Sequence, residues 1–177
     1  MTEQRQIIIG TLLGKSFIVK LKGRSCFLTI PESLDINWIN YKAIIIDPEK
    51  KAFIKDNKRF LWRSKCGEYW NQIYDEFYNK GQKTIKMSIL DELRDIGLAT
   101  WFLDKGRFIK NRLCLGTTAF REGNKTIAQY FNEVGMPCEI WPQRDTAKIL
   151  FSDFGTKVFV DTIIRAVPQF MYYRISP

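Results

Sequence analysis

Apolar residues recur along this chain in two rhythms, and one stretch follows neither. Helical spacing, at i, i+3, i+4 and i+7, runs through Trp70, Ile73, Tyr74 and Phe77, through Ile127, Tyr130, Phe131 and Val134, and through Val160, Ile163, Ile164 and Val167. Alternation, the mark of a half-buried strand, sets Phe17, Val19 and Leu21 on one face of Ser16–Lys22 and Ile18, Lys20 and Lys22 on the other. It returns in Arg59–Lys65, where Phe60 and Trp62 alternate with Arg59, Leu61, Arg63 and Lys65, an aromatic face backed by a largely cationic one. Residues 7–14, I-I-I-G-T-L-L-G, form a short apolar helix whose Gly10 and Gly14 stack on one side. A face without side chains admits another backbone at close range. The expected partner lies about ninety residues on, Leu98–Gly106, where Gly97 and Thr100 share a face.

Taken in order, the chain predicts a helix over 7–14 and a hairpin of 16–22 with 25–30. A short helix opens at Pro31-Glu32-Ser33 with Leu34, Trp38 and Tyr41 on one side, and Ala43–Ile46 is a strand stopped by Asp47-Pro48. A hairpin of 52–55 with 59–65 and a helix after Gly67, ended by Asn79-Lys80-Gly81, complete the first half. Lys80–Lys86 is a basic connector. Ser88 and Asp91 form a capping box that opens a helix running to Lys105, stopped by Gly106. Then the order repeats: a hairpin of 108–110 with 112–117, a helix over 126–134, a hairpin of 137–141 with 147–151, a helix over 153–167, and an extended aromatic tail over 168–177. The class is α+β, with an internal duplication into halves 1–87 and 88–177 and a pseudo-twofold between them.

Charge adds a partner to this outline. The 177 residues carry a net charge of +9, which favours a polyanion, nucleic acid first and an anionic membrane second. The plainer reading is that surplus lysine keeps a small protein soluble. With no histidine, the commonest general base and metal ligand is missing. Cys26, Cys66, Cys114 and Cys138 form no C-x-x-C pair, so they read as buried free thiols in a reducing compartment: bacterial or phage-host cytoplasm, or an organelle matrix. The apolar run after the N-terminus is too short for a signal peptide or a membrane span. Trp38, Trp62, Trp70 and Trp101 read as core, while for Trp141, in Trp141-Pro142-Gln143-Arg144, the sequence leaves a hairpin tip open and does not decide it. G-T-L-L-G-K-S ends like a phosphate-binding loop, but residue 9, where such a loop requires glycine, is isoleucine.

At the two apolar segments a resemblance becomes specific. Residues 8–16, I-I-G-T-L-L-G-K-S, and 98–106, L-A-T-W-F-L-D-K-G, resemble the paired signature helices of single-chain LAGLIDADG homing endonucleases, whose second motif is close to L-A-x-W-F-M-D-D-G. Phe77–Ile85 is similar to the family's basic lead-in, Leu113–Phe120 to its L-x-T-x-S-F segment, and Ala166–Pro177 to its terminal I-P-Q-M-M-Y-K-L-P segment. The resemblance implies two αββαββα halves, motif helices packed at the centre, and antiparallel sheets forming a saddle along the DNA major groove. It also implies that the last acid of each motif holds divalent metal at the scissile phosphates, assisted by a basic residue from each half.

Here both acids are replaced, by Lys15 and Lys105, and an ammonium cannot coordinate Mg²⁺. Asp104 survives one position earlier, turned by about 100°. Lys83 matches one assisting base; Tyr173 takes the place of the other, followed by Arg174. The expectation is a monomeric scaffold that binds nucleic acid without cutting it and without a cofactor, Mg²⁺ entering only if cleavage is retained. Contacts are expected from Lys15, Lys20, Lys22, Arg59, Arg63, Lys65, Lys83, Lys105, Arg112 and Arg174. Double-stranded DNA is favoured. Structured RNA, as for a maturase or ribonucleoprotein component, is the alternative. Others are cleavage through Asp104 with Asp91 or Glu92, and a structural subunit of a larger assembly.

Overall fold

The computed structural model describes residues 2–21, 25–33, 35–50, 53–55, 59–143 and 146–175, without the side chains of 32, 33, 53–55, 59, 143 and 146. Helix α1 (Glu3–Leu13) starts one turn ahead of its apolar run because Thr2 caps it, the hydroxyl accepting the Arg5 N–H at 3.3 Å. Every residue from Gln6 to Leu13 is buried, as is every residue from Gly97 to Asp104 of α5 (Asp95–Lys105). A helix that is apolar all round is one enclosed on all sides, and these two enclose each other. A Cβ on Gly10 would stand 2.3 Å from the Gly97 carbonyl oxygen and 2.7 Å from Thr100 Cβ. On Gly14 it would stand 2.6 Å from Asp104 Cβ, and on Gly97 2.6 Å from Gln6 Oε1.

The predicted helix from Ser88 to Lys105 is broken. Helix α4 (Met87–Asp91) ends, and α5 begins only at Asp95. Gln6 of α1 fills the gap: its Nε2 donates to the Glu92 carbonyl at 2.8 Å and its Oε1 accepts the Arg94 N–H at 2.7 Å. The cap at this break therefore comes from α1 and not from a Ser88 box. Beside it, Arg5 donates to Glu92 at 3.0 Å and to Glu76 at 2.8 Å.

Two antiparallel sheets follow from the two motif helices. The first has β1 (Phe17–Val19), β2 (Phe27–Ser33), β3 (Phe53–Lys55) and β4 (Arg59–Arg63) in the order β1-β2-β4-β3. After the two-residue strands β5 (Tyr78–Asn79) and β6 (Gln82–Lys83), the second sheet has β7 (Gly106–Ile109), β8 (Arg112–Gly116), β9 (Cys138–Gln143) and β10 (Thr146–Phe151) in the order β7-β8-β10-β9. The repeated order is the duplication seen in the sequence. Helices α2 (Ile36–Ile46) and α3 (Glu68–Phe77) pack against the first sheet, and α6 (Asn124–Glu133) and α7 (Asp153–Ile163) against the second.

Several elements differ from expectation, each for a local reason. Residues 31–33 belong to β2, and α2 starts after Asp35, whose carboxylate accepts the Trp38 N–H at 3.1 Å. Ala43–Ile46 is the last turn of α2, because Trp38, Ile39, Lys42, Ala43 and Ile46 make one buried face. The connector after Phe77 is the β5–β6 hairpin, turned by Lys80 and Gly81 at φ 49° and 80°. Val134 and Ile164 lie just beyond the ends of α6 and α7 and turn outward. The tail is a 3₁₀ turn, Gln169–Arg174, that buries Met171. Cys66 is exposed, while Cys26 and Cys114 are buried. Trp141, left open by the sequence, lies within β9 and is half-buried.

The helix seam gives a direct test. Gly10→Ala should lower stability by about 1–3 kcal/mol or more, since its Cβ meets backbone that has nowhere to go. Gly67→Ser should be neutral or stabilising, because a Cβ there meets nothing within 4 Å and serine is a good N-cap. Urea unfolding of the two variants reads the difference.

Candidate nucleic-acid interface

The seam brings the C-terminal ends of α1 and α5 side by side. Lys15 and Lys105 stand there, and both border a cleft of about 360 Å³ together with Ser16, Phe17, Lys83 and Thr118. Lys83 reaches in from β6 and donates to the Leu12 and Ser16 carbonyls. It thereby satisfies acceptors that the end of α1 leaves open. Burial and the repulsion of Lys105 push its pKa down to about 7. Burial and the charge of Lys15 lower Lys105 as well, and Asp104 partly offsets this. Lys105 thus acts on Lys83, and Lys15 on Lys105, across one small space.

Asp104 does not face that space as a free ligand. Its carboxylate accepts Lys42 Nζ at 2.7 and 3.0 Å and Trp38 Nε1 at 2.7 Å. The side chains of Lys42 and Asp104 are only 2% and 3% exposed. Burial lowers the pKa of Lys42, and the Asp104 charge and hydrogen bonds pull it back. Gly14 makes room for the carboxylate, so the glycine face and the ion pair are one arrangement. Lys42 was not singled out in the sequence. Its signal is a lysine at the i+4 position from Trp38, on the apolar face of a helix.

The donor set at the motif ends does not fit a divalent cation. Lys15 and Lys105 offer no lone pair in their charged form, and Asp104 is already neutralised by an internal ammonium. Among the described residues no group of three or more aspartate, glutamate, cysteine or histidine side chains converges as metal ligands do.

The sheets place the other expected contacts unevenly. In the first, Phe17 pairs with Thr29 and Thr29 with Arg63, so these share a face, while Ile18, Leu28, Ile30 and Trp62 point into the core. Arg63 is exposed and lies 5.9 Å over Phe27. Lys20 has the parity of Ile18 and turns the other way, its ammonium 4.8 Å over the Tyr74 ring of α3. The ring attracts it, and it does not join Arg63. Lys65 is exposed and paired with Glu49 at 3.4 Å. Lys22 lies outside the described residues, as does the side chain of Arg59. In the second sheet Arg112 is held by the Phe151 carbonyl at 2.7 Å and Glu139 at 3.2 Å. Arg174 donates to the Gly106 carbonyl at 3.1 Å. Sequence reading missed Arg107 and Lys148 and left Trp141 undecided. Arg107 pairs with Cys114, and Lys148 with both Gly116 and Trp141, which sets all three on the outward face. The signal was there: Lys148 alternates with Ala147 and Ile149.

The profile of the LAGLIDADG DNA endonuclease family matches residues 5–159. The chain belongs to that family. Among solved structures it is similar to the homing endonuclease I-WcaI bound to its DNA recognition sequence, with a TM-score of 0.85 and 19% identity over 98% of this chain and 86% of that one. It is similar to I-DmoI in complex with DNA and Mn, with a TM-score of 0.60 and 15% identity over 92% of this chain and 96% of that one. It is also similar to full-length DUF199/WhiA from Thermatoga maritima, with a TM-score of 0.60 and 13% identity over 98% of this chain and 59% of that one. No curated protein sequence matches it. The LAGLIDADG fold is thus present in full, with lysines at the ends of both signature helices.

Two measurements check the electrostatics. Lys42→Met or Asp104→Leu alone should cost about 3–5 kcal/mol by stranding a buried charge, while the double variant should lose less than either. For Lys83, the folded pKa near 7 lies below its ordinary 10.5. The unfolded chain therefore holds an extra proton between those values, and stability should rise with pH from about 7 toward 10.5. The stability difference between wild type and Lys83→Met, from urea unfolding at pH 7 and 9, should move in favour of wild type at the higher pH.

Proposed function

We propose that this chain is a LAGLIDADG protein that binds double-stranded DNA without cutting it. The reading rests on Lys15 and Lys105, which share a cleft at the motif-helix ends where the family resemblance puts the metal-binding acids, with the neighbouring carboxylate, Asp104, locked by Lys42 and Trp38. What would hold cations against the backbone is itself cationic, so phosphate contacts replace metal-bridged ones. A net charge of +9 suits this. Two-stranded ribbons fit the major groove, and Arg63 on one sheet with Arg107 and Lys148 on the other supply charge on the outward faces. The two halves furnish a pseudo-twofold surface within one monomer. The relatives I-WcaI and I-DmoI were solved with DNA. Among the described residues no helix is long and apolar enough to cross a membrane.

Binding should persist in EDTA, fall steeply with salt, and favour duplex DNA over structured RNA in gel-shift competition at fixed salt. Lys15→Ala with Lys105→Ala should reduce the slope of log K against log salt by about 1.8 if each meets one phosphate. Supercoiled plasmid should stay intact in Mg²⁺ or Mn²⁺. Metal-dependent nicking that Asp104→Asn abolishes would overturn the reading.

A further inference from the structure

The cleft between the motif-helix ends is built more deeply than contact with an intact duplex requires. Lys15 and Lys105 are exposed at its rim. Lys83 donates two N–H groups to the Leu12 and Ser16 carbonyls, and its protonated form, which an entering anion favours, keeps a third. Ser16 borders the same cleft and is completely buried, and its hydroxyl has no hydrogen-bond partner. An unpartnered buried hydroxyl is uncommon and asks for a ligand or water. Asp104 is paired with Lys42 and offsets Lys83 and Lys105 only in part, so the space of about 360 Å³ bordered by Lys15, Lys83 and Lys105 stays net cationic.

A backbone phosphodiester carries one charge and is tethered on both sides, so it stays at the rim of a groove. A phosphomonoester carries a charge of about −1.5 to −2 at pH 7 and three strong acceptor oxygens, and it is tethered on one side only. It can descend toward Lys83, below the exposed Lys15 and Lys105. We infer that the cleft bordered by Lys15, Ser16, Lys83 and Lys105 is a phosphomonoester site, taking the terminal phosphate of a nucleic-acid strand or of a free nucleotide. Phe17, 42% exposed at the same cleft, offers its ring to the attached base. The strand source rests on the DNA-binding reading; the nucleotide source does not.

Three duplexes of one sequence separate the possibilities in fluorescence anisotropy: continuous, centrally nicked with a 5′-hydroxyl, and nicked with a 5′-phosphate. Saturation-transfer NMR with a nucleoside monophosphate, and with the nucleoside as control, tests the free ligand. If a strand end is the source, the phosphorylated nick should bind at least tenfold more tightly than the hydroxyl nick. Lys105→Met, on an exposed side chain, and Lys83→Met should each remove that advantage. A nucleoside monophosphate signal without any duplex binding would assign the site to free nucleotides and sink the DNA-binding reading. Equal affinity for all three duplexes, with no nucleotide signal, would overturn the cleft assignment and leave DNA binding standing.

Discussion

Two helices in this molecule touch through their backbones, and the position of nearly every other element follows from that contact. Gly10 lies against the Gly97 carbonyl and Thr100, and Gly14 against Asp104, at separations that leave no room for a methyl group. Such closeness leaves the seam only small or polar side chains, Thr100 and Asp104, and turns the apolar ones toward the two sheets. The seam is also held at both ends. Arg5 and Gln6 tie the start of α1 to the break before α5. Lys83 and the Lys42–Asp104 pair tie the far ends. The result sets the cleft at the motif-helix ends by backbone geometry and not by the rotamers of surface residues.

The charge at those far ends has its own logic. The C-terminus of a helix carries a partial negative charge, and cations there are favoured. Acids in the same place are unfavourable unless a metal ion compensates them. Lys15 and Lys105 therefore relieve a conflict that acids at these positions would create, though burial first and the charge of Lys15 second lower the pKa of Lys105. An anion entering the cleft would settle that repulsion. On the proposed reading, the lysines supply at the motif-helix ends the positive charge that a metal ion would otherwise bring.

Much of this was legible in the chain. The duplication, the paired small residues, the hairpins and the helices after Gly67 and around Tyr130 follow from spacing alone, since each depends on local periodicity. What failed depended on neighbours distant in sequence. Ala43–Ile46 has the composition of a strand, and only the burial of Lys42 with its partner 62 residues away makes the helix register the better one. The break before α5 is visible only once Gln6 is in place to fill it. The outward or inward sense of β1 depends on where α3 lies, so Lys20 could not be assigned a face by alternation. Site residues were readable where a motif fixed them, as at Lys15 and Lys105, and obscure where pairing register did, as at Arg107 and Lys148.

Gly14 and Asp104 hold the same position in the two motifs, one place before Lys15 and Lys105. They face each other, one with no side chain and the other with a carboxylate that fills the vacancy. The two halves are therefore complementary and no longer equivalent. A homodimer made from the second half would press two carboxylates into one space, and one made from the first would leave a void there. Swapping or symmetrising the halves is closed to this chain unless both positions change together, and each half evolves as the other's mould.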